Sequence, residues 1–590
     1  MSPRRGGRDA RRYPAAVAYV TNLRRLDRIG VAAGIVIAAG VAIRLITYVL
    51  RYGLWQDETL LSLDIGVRSP AALMRPLDYD QTAPIGFLWG EWLVTRVAGM
   101  SVWALHALPL VAGIALVVAT WFVGRRLVGR EAALIATAMA AVSGLLLSYA
   151  NLVKPYGSDA LVTLALIGAT VPVLRSPRSR VAWAWFAVTA ILAPWFSTPS
   201  VLVLAAVTLA ILTEVPVRSD PRVRRFFMMA TAAWVAMAAA LYRLIYAETA
   251  SNAYLRRYWE FGFLQPGAPH YSERVRRAAL AFVQPLGRGT LRSPEALLAI
   301  ALAIAGLVVV ARRRGRGTLT LLLAPYVAVV AAAIIGVYPI HSRLVLFLAP
   351  LLFFAAGSAC AALAQLAPPS VRPVALAVIL SVPPILQRSD LALLGHPTGN
   401  DGTLIMIEHV EWRRGDAPIY LVRNAVPGWI YYTTNWHAPD TARLNWIAHL
   451  ISSGGPAFTA VAHRGRRVYD EGDAFCEIVN GSLELIGLGS GEEDIKFGLT
   501  TTDVDDGWAD NEARRIAAIA RPDVWVLANY TDEKELGPLR AALRARGATI
   551  TWSGSRAPLG AAFLVRFDSP ASGEAPRCDG PPSPRDVRVG

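Results

Sequence analysis

Long apolar runs, separated by short Arg-rich segments, fill the first two thirds of this chain. They fall at 29–50, 102–123, 134–147, 161–174, 181–196, 201–213, 226–246, 294–311, 319–337, 344–366 and 374–386. Their length and apolar character predict eleven membrane-spanning helices. The run at 84–97 differs, because Glu91 and Arg96 interrupt it. It is too short and too charged to cross, and predicts a helix along the membrane surface. After residue 388 the pattern changes. Strands are expected at 419–423, 524–527, 549–552 and 561–567, and helices at 510–520 and 533–546, the last ended by Gly547. This mixture predicts a soluble α/β domain over 389–568. Residues 569–590, rich in Pro, Ser and Gly, are expected to be a disordered tail.

Composition agrees with a membrane protein. Of 590 residues, 54% are hydrophobic and 17% charged, with a net charge of +16. The positive charge is almost all Arg, and the lysines are Lys154, Lys496 and Lys534. The Arg residues sit in short runs between apolar segments. That is the pattern of membrane topology rather than of a nucleic-acid surface. The basic segment 1–28 is expected to stay in the cytoplasm, ahead of a retained first span rather than a cleaved signal. Alternating eleven spans from there puts every compact Arg run inside and the 389–568 domain outside. The loop 247–293 is Arg-rich yet falls outside, and long loops follow the charge rule weakly.

With that sidedness the polar clusters gather on the outer face. Trp55-Gln56-Asp57-Glu58 follows the first span, and Asp78, Asp80 and Gln81 precede the surface helix. Lys154-Pro155-Tyr156-Gly157-Ser158-Asp159 and Tyr338-Pro339-Ile340-His341-Ser342-Arg343 lie at later span ends. Ionisable groups near a membrane tend to face a cavity or a polar partner. A carboxylate such as Asp57 can take a proton from an acceptor hydroxyl. Cations such as Lys154 and Arg343 can stabilise a departing phosphate. Against this, charges near a span end can simply reach water, Lys154 can snorkel, and Arg343 can bind a lipid headgroup. His341 has no second His or Cys at ligand spacing.

Trp55-Gln56-Asp57-Glu58 resembles the acidic first-loop motif of GT-C glycosyltransferases, the class of protein O-mannosyltransferases and aminoarabinose transferases. Asp80-Gln81-Thr82-Ala83-Pro84-Ile85-Gly86 resembles the Pro-containing segment before the surface helix of that class, with one Pro where some members have two. The Lys154–Asp159 and Tyr338–Arg343 segments resemble later outer-face segments of bacterial members. The resemblance covers about residues 25–390. It implies a GT-C-like α-helical polytopic domain over 29–388, a polyprenyl-phosphate-sugar donor and an extracytoplasmic site, with Asp57 in the position of the catalytic acidic residue.

The expected function is therefore inverting transfer of a sugar from a polyprenyl phosphate to a hydroxyl acceptor at a plasma membrane. Asp57 is the expected base, and Glu58 orients it or helps hold a divalent cation. Lys154, Tyr156 and Arg343 are expected on the donor phosphate. Asp80, Gln81, Asp159 and His341 are expected on substrate. The rival is a lipid-linked saccharide transporter or a membrane scaffold. A transporter would place polar groups through the bilayer midplane, whereas here they gather at one face. Two short motifs carry less. Gly487–Gly491 lacks a Walker Lys and reads as a turn. Asp503, Asp505, Asp506 and Asp510 lack the terminal Glu of a calcium loop, with Arg514 in its place. Cys476 and Cys578, in a domain expected in an oxidising compartment, are candidates for a disulfide.

Overall fold

The computed structural model describes residues 13–50, 53–287, 293–387, 403–442, 495–497, 507–519, 521–529, 533–553 and 560–568, with 391, 444, 445 and 448. The expected tail, the Gly487–Gly491 turn, Asp503, Asp505, Asp506, Cys476 and Cys578 lie outside these residues.

The first half of the chain forms α1 (Tyr13–Val49), α2 (Gln56–Val67), α3 (Ile85–Ala98), α4 (Val102–Leu127), α5 (Arg130–Val142), α6 (Gly144–Tyr149), α7 (Tyr156–Arg175), α8 (Arg180–Phe196), α9 (Ser200–Glu214) and α10 (Pro221–Leu241). There follow α11 (Ala247–Ala250), α12 (Ala253–Tyr258), α13 (Tyr271–Val283), α14 (Pro294–Arg313), α15 (Arg316–Ile334), α16 (Ala349–Ala364) and α17 (Arg372–Leu386). Among the described residues, seven helices are long and apolar enough to cross a membrane, and α8, α9 and α17 are shorter apolar helices. The eleven expected runs thus become helices of unequal length.

Local chemistry starts these helices. Ser101, Ser179 and Ser293 accept the backbone N–H of Ala104, Ala182 and Ala296, capping α4, α8 and α14. Asp220 caps α10, with Pro221 in its first turn. The run expected as one span at 134–147 is split at Ser143 into α5 and α6. Arg44 explains where α5 stops. Fully buried on α1, it donates to the carbonyls of Ala140 and Ala141, each at 3.0 Å, near the carbonyl end of α5.

Helix α16 runs through the centre of the bundle, against α14 and α5. Its small residues let backbones approach. A β-carbon at Gly357 would lie 2.5 Å from the Ala132 carbonyl oxygen. The surface helix expected at 84–97 corresponds to α3, which buries Phe87, Leu88, Glu91 and Thr95 against its neighbours.

The C-terminal part is a five-stranded sheet. Its strands are β1 (Ile419–Leu421), β2 (Ile495–Phe497), β3 (Asp523–Asn529), β4 (Ala548–Ser553) and β5 (Gly560–Phe567), in the order β2-β1-β3-β5-β4. The β1 pairings are parallel; β5 pairs antiparallel with β3 and β4. Strand alternation makes β3 two-faced. Val524, Val526 and Ala528 face the helices Trp508–Ala518 and Glu533–Ala545. Trp525 and Leu527 face the helices Thr403–Arg413 and Val426–Thr433. The latter helix docks on α2, in one core with Leu61 and Ile65. Tyr432 Oη accepts the Leu54 N–H at 2.7 Å, and Tyr431 Oη donates to the Met100 carbonyl at 2.7 Å. The C-terminal part therefore braces the segment that carries Asp57.

Candidate active site

Asp57 and Glu58 occupy the first turn of α2, where a helix N-terminus favours carboxylates. Their side chains part. Glu58 is fully buried, and its Oε2 accepts the Trp55 N–H at 2.8 Å. Its Oε1 accepts the Val153 N–H at 2.7 Å and sits 2.8 Å from His106 Nε2. Glu58 thus ties the start of α2 to α4 and to the turn that carries Lys154. It faces the protein interior. Asp57 faces the polar side instead, with Oδ2 2.8 Å from Arg343 Nη1.

Lys154 is buried at 6% exposure. Its Nζ donates to Gln81 Oε1 at 2.7 Å. Four segments far apart in sequence therefore meet: the start of α2, the loop before α3, the turn before α7 and the loop before α16. Burial alone would raise the pKa of Asp57. Lys154 and Arg343 outweigh it and hold the carboxyl below its usual value. Burial lowers the Lys154 pKa, with Asp57 working in the opposite direction. Burial also works against the charge of Arg343, but Tyr156 and Asp57 hold its pKa above the ordinary value.

The loop before α3 is tied down by Arg68. Its guanidinium bridges Asp64 and Asp78, each at 2.8 Å, and donates to the Pro76 carbonyl at 2.8 Å. Tyr79 and Asp80 both have a φ of 56°, the left-handed region that non-glycine residues rarely adopt. This backbone presents Gln81 to Lys154. Asp80 Oδ1 accepts from Asn252 Nδ2 at 2.8 Å. Asp80 therefore holds the loop after α11.

That loop supplies residues the sequence reading missed. Trp259 lies under Arg343, whose guanidinium carbon is 4.9 Å from the ring centroid. His341 packs against Trp259 and Phe261, at 5.4 and 5.8 Å between centroids. Burial and then Arg343 push the His341 pKa down to about 4, so the ring is neutral at pH 7 and is not a third cation. Main-chain bonds from Leu264 to Ala333 and from Ile340 to Gly262 sew the loop to the segment bearing Arg343. Asn252 carries a local signal, since it caps α12 through the Leu255 N–H. Trp259 stands among Arg residues of a loop that the charge rule explained least well.

Tyr156 starts α7 and packs edge-on against Tyr149 at 4.9 Å. Asp159 lies on the same first turn, buried at 5% exposure. Among the described residues, no three His, Cys, Asp or Glu side chains assemble a site for a metal ion. Lys154 and Arg343, the two cations that act on Asp57, are not ligands for a divalent cation.

No family model matches the chain, and no curated protein matches it. Solved structures do. ArnT from Cupriavidus metallidurans bound to undecaprenyl phosphate is similar at 12% identity, over 90% of this chain and 97% of that one, with a TM-score of 0.49. The archaeal oligosaccharyltransferase AglB from Archaeoglobus fulgidus, in complex with an inhibitory peptide and a dolichol-phosphate, is similar at 12% identity over 89% of this chain and 74% of that one, with a TM-score of 0.46. Both neighbours are GT-C proteins, the class that the sequence motifs resemble.

Proposed function

We propose that this protein is a membrane glycosyltransferase that moves a sugar from a polyprenyl phosphate to a hydroxyl acceptor. The observation that carries the reading is the Asp57–Arg343 pair at 2.8 Å, with Lys154 buried in the same electrostatic field. A carboxylate kept ionised by two cations is a base beside an anion site. In the resting protein the Asp57 carboxylate stands where a donor phosphate would draw the cations. Donor binding shifts Arg343 and Lys154 onto the phosphate and frees Asp57.

In transfer, the acceptor oxygen attacks the anomeric carbon and the carbon–oxygen bond to phosphate breaks. The acceptor proton goes to Asp57. The lipid phosphate leaves with its added negative charge held by Arg343 and Lys154. Attack opposite the leaving group inverts the anomeric centre. A phosphate leaving group needs no proton, so one carboxylate suffices, unlike the pair used in glycoside hydrolysis. Glu58 has the role of a brace, and Gln81 positions Lys154. The Arg distribution supports eleven crossings, a cytoplasmic N-terminus and a C-terminal domain on the same face as Asp57.

The test uses membranes from cells expressing the full chain and a panel of radiolabelled polyprenyl-phosphate sugars. One donor should be consumed, and Asp57→Asn should lower transfer roughly a hundredfold or more. Transfer by Asp57→Asn at the parental rate, at matched expression, would remove Asp57 as the base.

A further inference from the structure

A second polar site lies at the other end of the bundle. Asp57 follows the carboxyl end of α1, whereas Ile29, near the start of its membrane-crossing part, lines a cavity of about 470 Å³. About 20 helical residues separate those ends, or roughly 30 Å. The cavity sits among the ends of α1, α4, α5, α14 and α16, and its polar wall includes Arg130, Glu131, Arg313, Arg314 and Gln365. Val309 and Ala362 belong to its apolar wall.

Three guanidiniums face one carboxylate here. Glu131 Oε2 accepts from Gln365 Nε2 at 2.6 Å, and Gln365 Oε1 in turn accepts from Arg313. The acid is thus taken up by an amide. Among the described residues, neither Arg130 nor Arg314 forms an ion pair, and Arg130 Nε is buried with no hydrogen-bond partner. Arg314 lies across Gly129, whose φ of +98° and lack of a side chain leave room for the guanidinium. Arg372 stands alongside, donating to the Gln365 carbonyl at 3.5 Å, and its Nε is also buried without a partner.

Arg residues at span ends ordinarily stand in water and set topology. A half-open pocket in which the Nε atoms of Arg130 and Arg372 are buried and unpartnered is a different arrangement. Guanidiniums match phosphate oxygens in a two-pronged geometry. Basic pockets between membrane helices suit anionic lipid headgroups. We propose that this cavity binds a phosphate group, that of an anionic membrane lipid, with the lipid stem against the apolar wall. The site is separate from the transfer site and does not depend on what that site does.

The experiment is native mass spectrometry of the full chain in detergent. Separate arms are titrated with phosphatidylglycerol, phosphatidylcholine and inorganic phosphate. The parent should retain phosphatidylglycerol in excess over phosphatidylcholine. The double variant Arg130→Gln/Arg314→Gln should lose that excess roughly tenfold while its thermal unfolding without lipid stays in place. Glu131→Gln keeps the amide contact, removes the one competing charge and should raise retention. Binding of inorganic phosphate, lost in the double variant and without a lipid preference, would assign the same guanidiniums to soluble phosphate. Equal retention of both lipids with no phosphate bound would overturn the site. So would a phosphatidylglycerol excess that survives in the double variant, or retention that Glu131→Gln leaves unchanged.

Discussion

Arg343 Nη1 lies 2.8 Å from Asp57 Oδ2, across 286 residues of chain. This contact sets the sign of a pH effect. Burial pulls the Asp57 pKa up, while Lys154 and Arg343 pull it down and prevail. A base works only when ionised, so transfer should fall on the acid side as pH drops through that depressed pKa. In Arg343→Met burial is opposed by Lys154 alone, and the acid limb of kcat/KM should move to higher pH. Arg343→Lys should move it part of the way back. A pH–rate profile of the three proteins checks this, and an unmoved limb in Arg343→Met would show that Arg343 does not hold the Asp57 proton equilibrium.

The adjacent carboxylate should behave differently. Glu58 is fully buried and serves the Trp55 and Val153 N–H groups and His106. Glu58→Ala removes this shared acceptor from a dry place and should cost about 3 kcal/mol or more. Asp57→Asn, at a more open position, should change stability far less while losing transfer. Denaturant or thermal unfolding in detergent separates the two. Glu58→Ala with the parental midpoint would mean that Glu58 is no brace. The effects of Glu58→Ala and His106→Ala should also fall short of additive, because they break one contact.

His341 offers a stability test in the acid range. Its folded pKa is pushed down to about 4, against about 6.5 for an unfolded His. The unfolded chain then binds the proton more readily than the folded one. The contribution is full above the unfolded value and declines as pH falls from there toward about 4. His341→Phe keeps the packing on Trp259 and Phe261 and removes the titration. Its unfolding midpoint should fall less than that of the parent over this range. Matching pH dependence in the two proteins would rule out His341 as the source.

Much of the site was legible because membrane chemistry is strict. Apolar runs and Arg placement gathered Asp57, Gln81, Lys154 and Arg343 onto one face, and the structure brings these four together. The same logic could not tell Asp57 from Glu58, since which carboxylate turns inward depends on Val153 and His106 in distant segments. Nor could it find Trp259 and Asn252, which lie in a polar loop without periodicity. The split at Ser143 was hidden because the residues on both sides are apolar. It follows from Arg44, on another helix, taking the carbonyls of Ala140 and Ala141. In the C-terminal part, β1, β3, β4 and β5 announced themselves as short apolar or β-branched runs, that of β3 continuous over 524–527. The helix Val426–Thr433 did not, since Pro427 and Gly428 obscure it and its partner is α2.

The loop between α11 and α13 should govern donor affinity more than turnover. Trp259 presents its ring to Arg343 at 4.9 Å, and the backbone bonds of Leu264 and Ile340 hold the two segments in register. A guanidinium over an indole gains about 1 kcal/mol at a partly exposed position. Trp259→Leu keeps an apolar body and removes the ring face, so Arg343 becomes freer and binds the donor phosphate less well. The KM for donor should rise roughly fivefold, the equivalent of that energy, while kcat changes little. Asn252→Ala acts from the other side. It removes the 2.8 Å contact that Asp80 accepts and loosens the loop before α3, which carries Gln81 to Lys154. Its donor KM should rise as well, and the two substitutions together should give less than the product of their effects, because both relax one clamp. Donor titrations of the single and double variants decide the matter. A donor KM that stays at the parental value in Trp259→Leu would mean the loop covers the site without shaping the grip of Arg343 on phosphate.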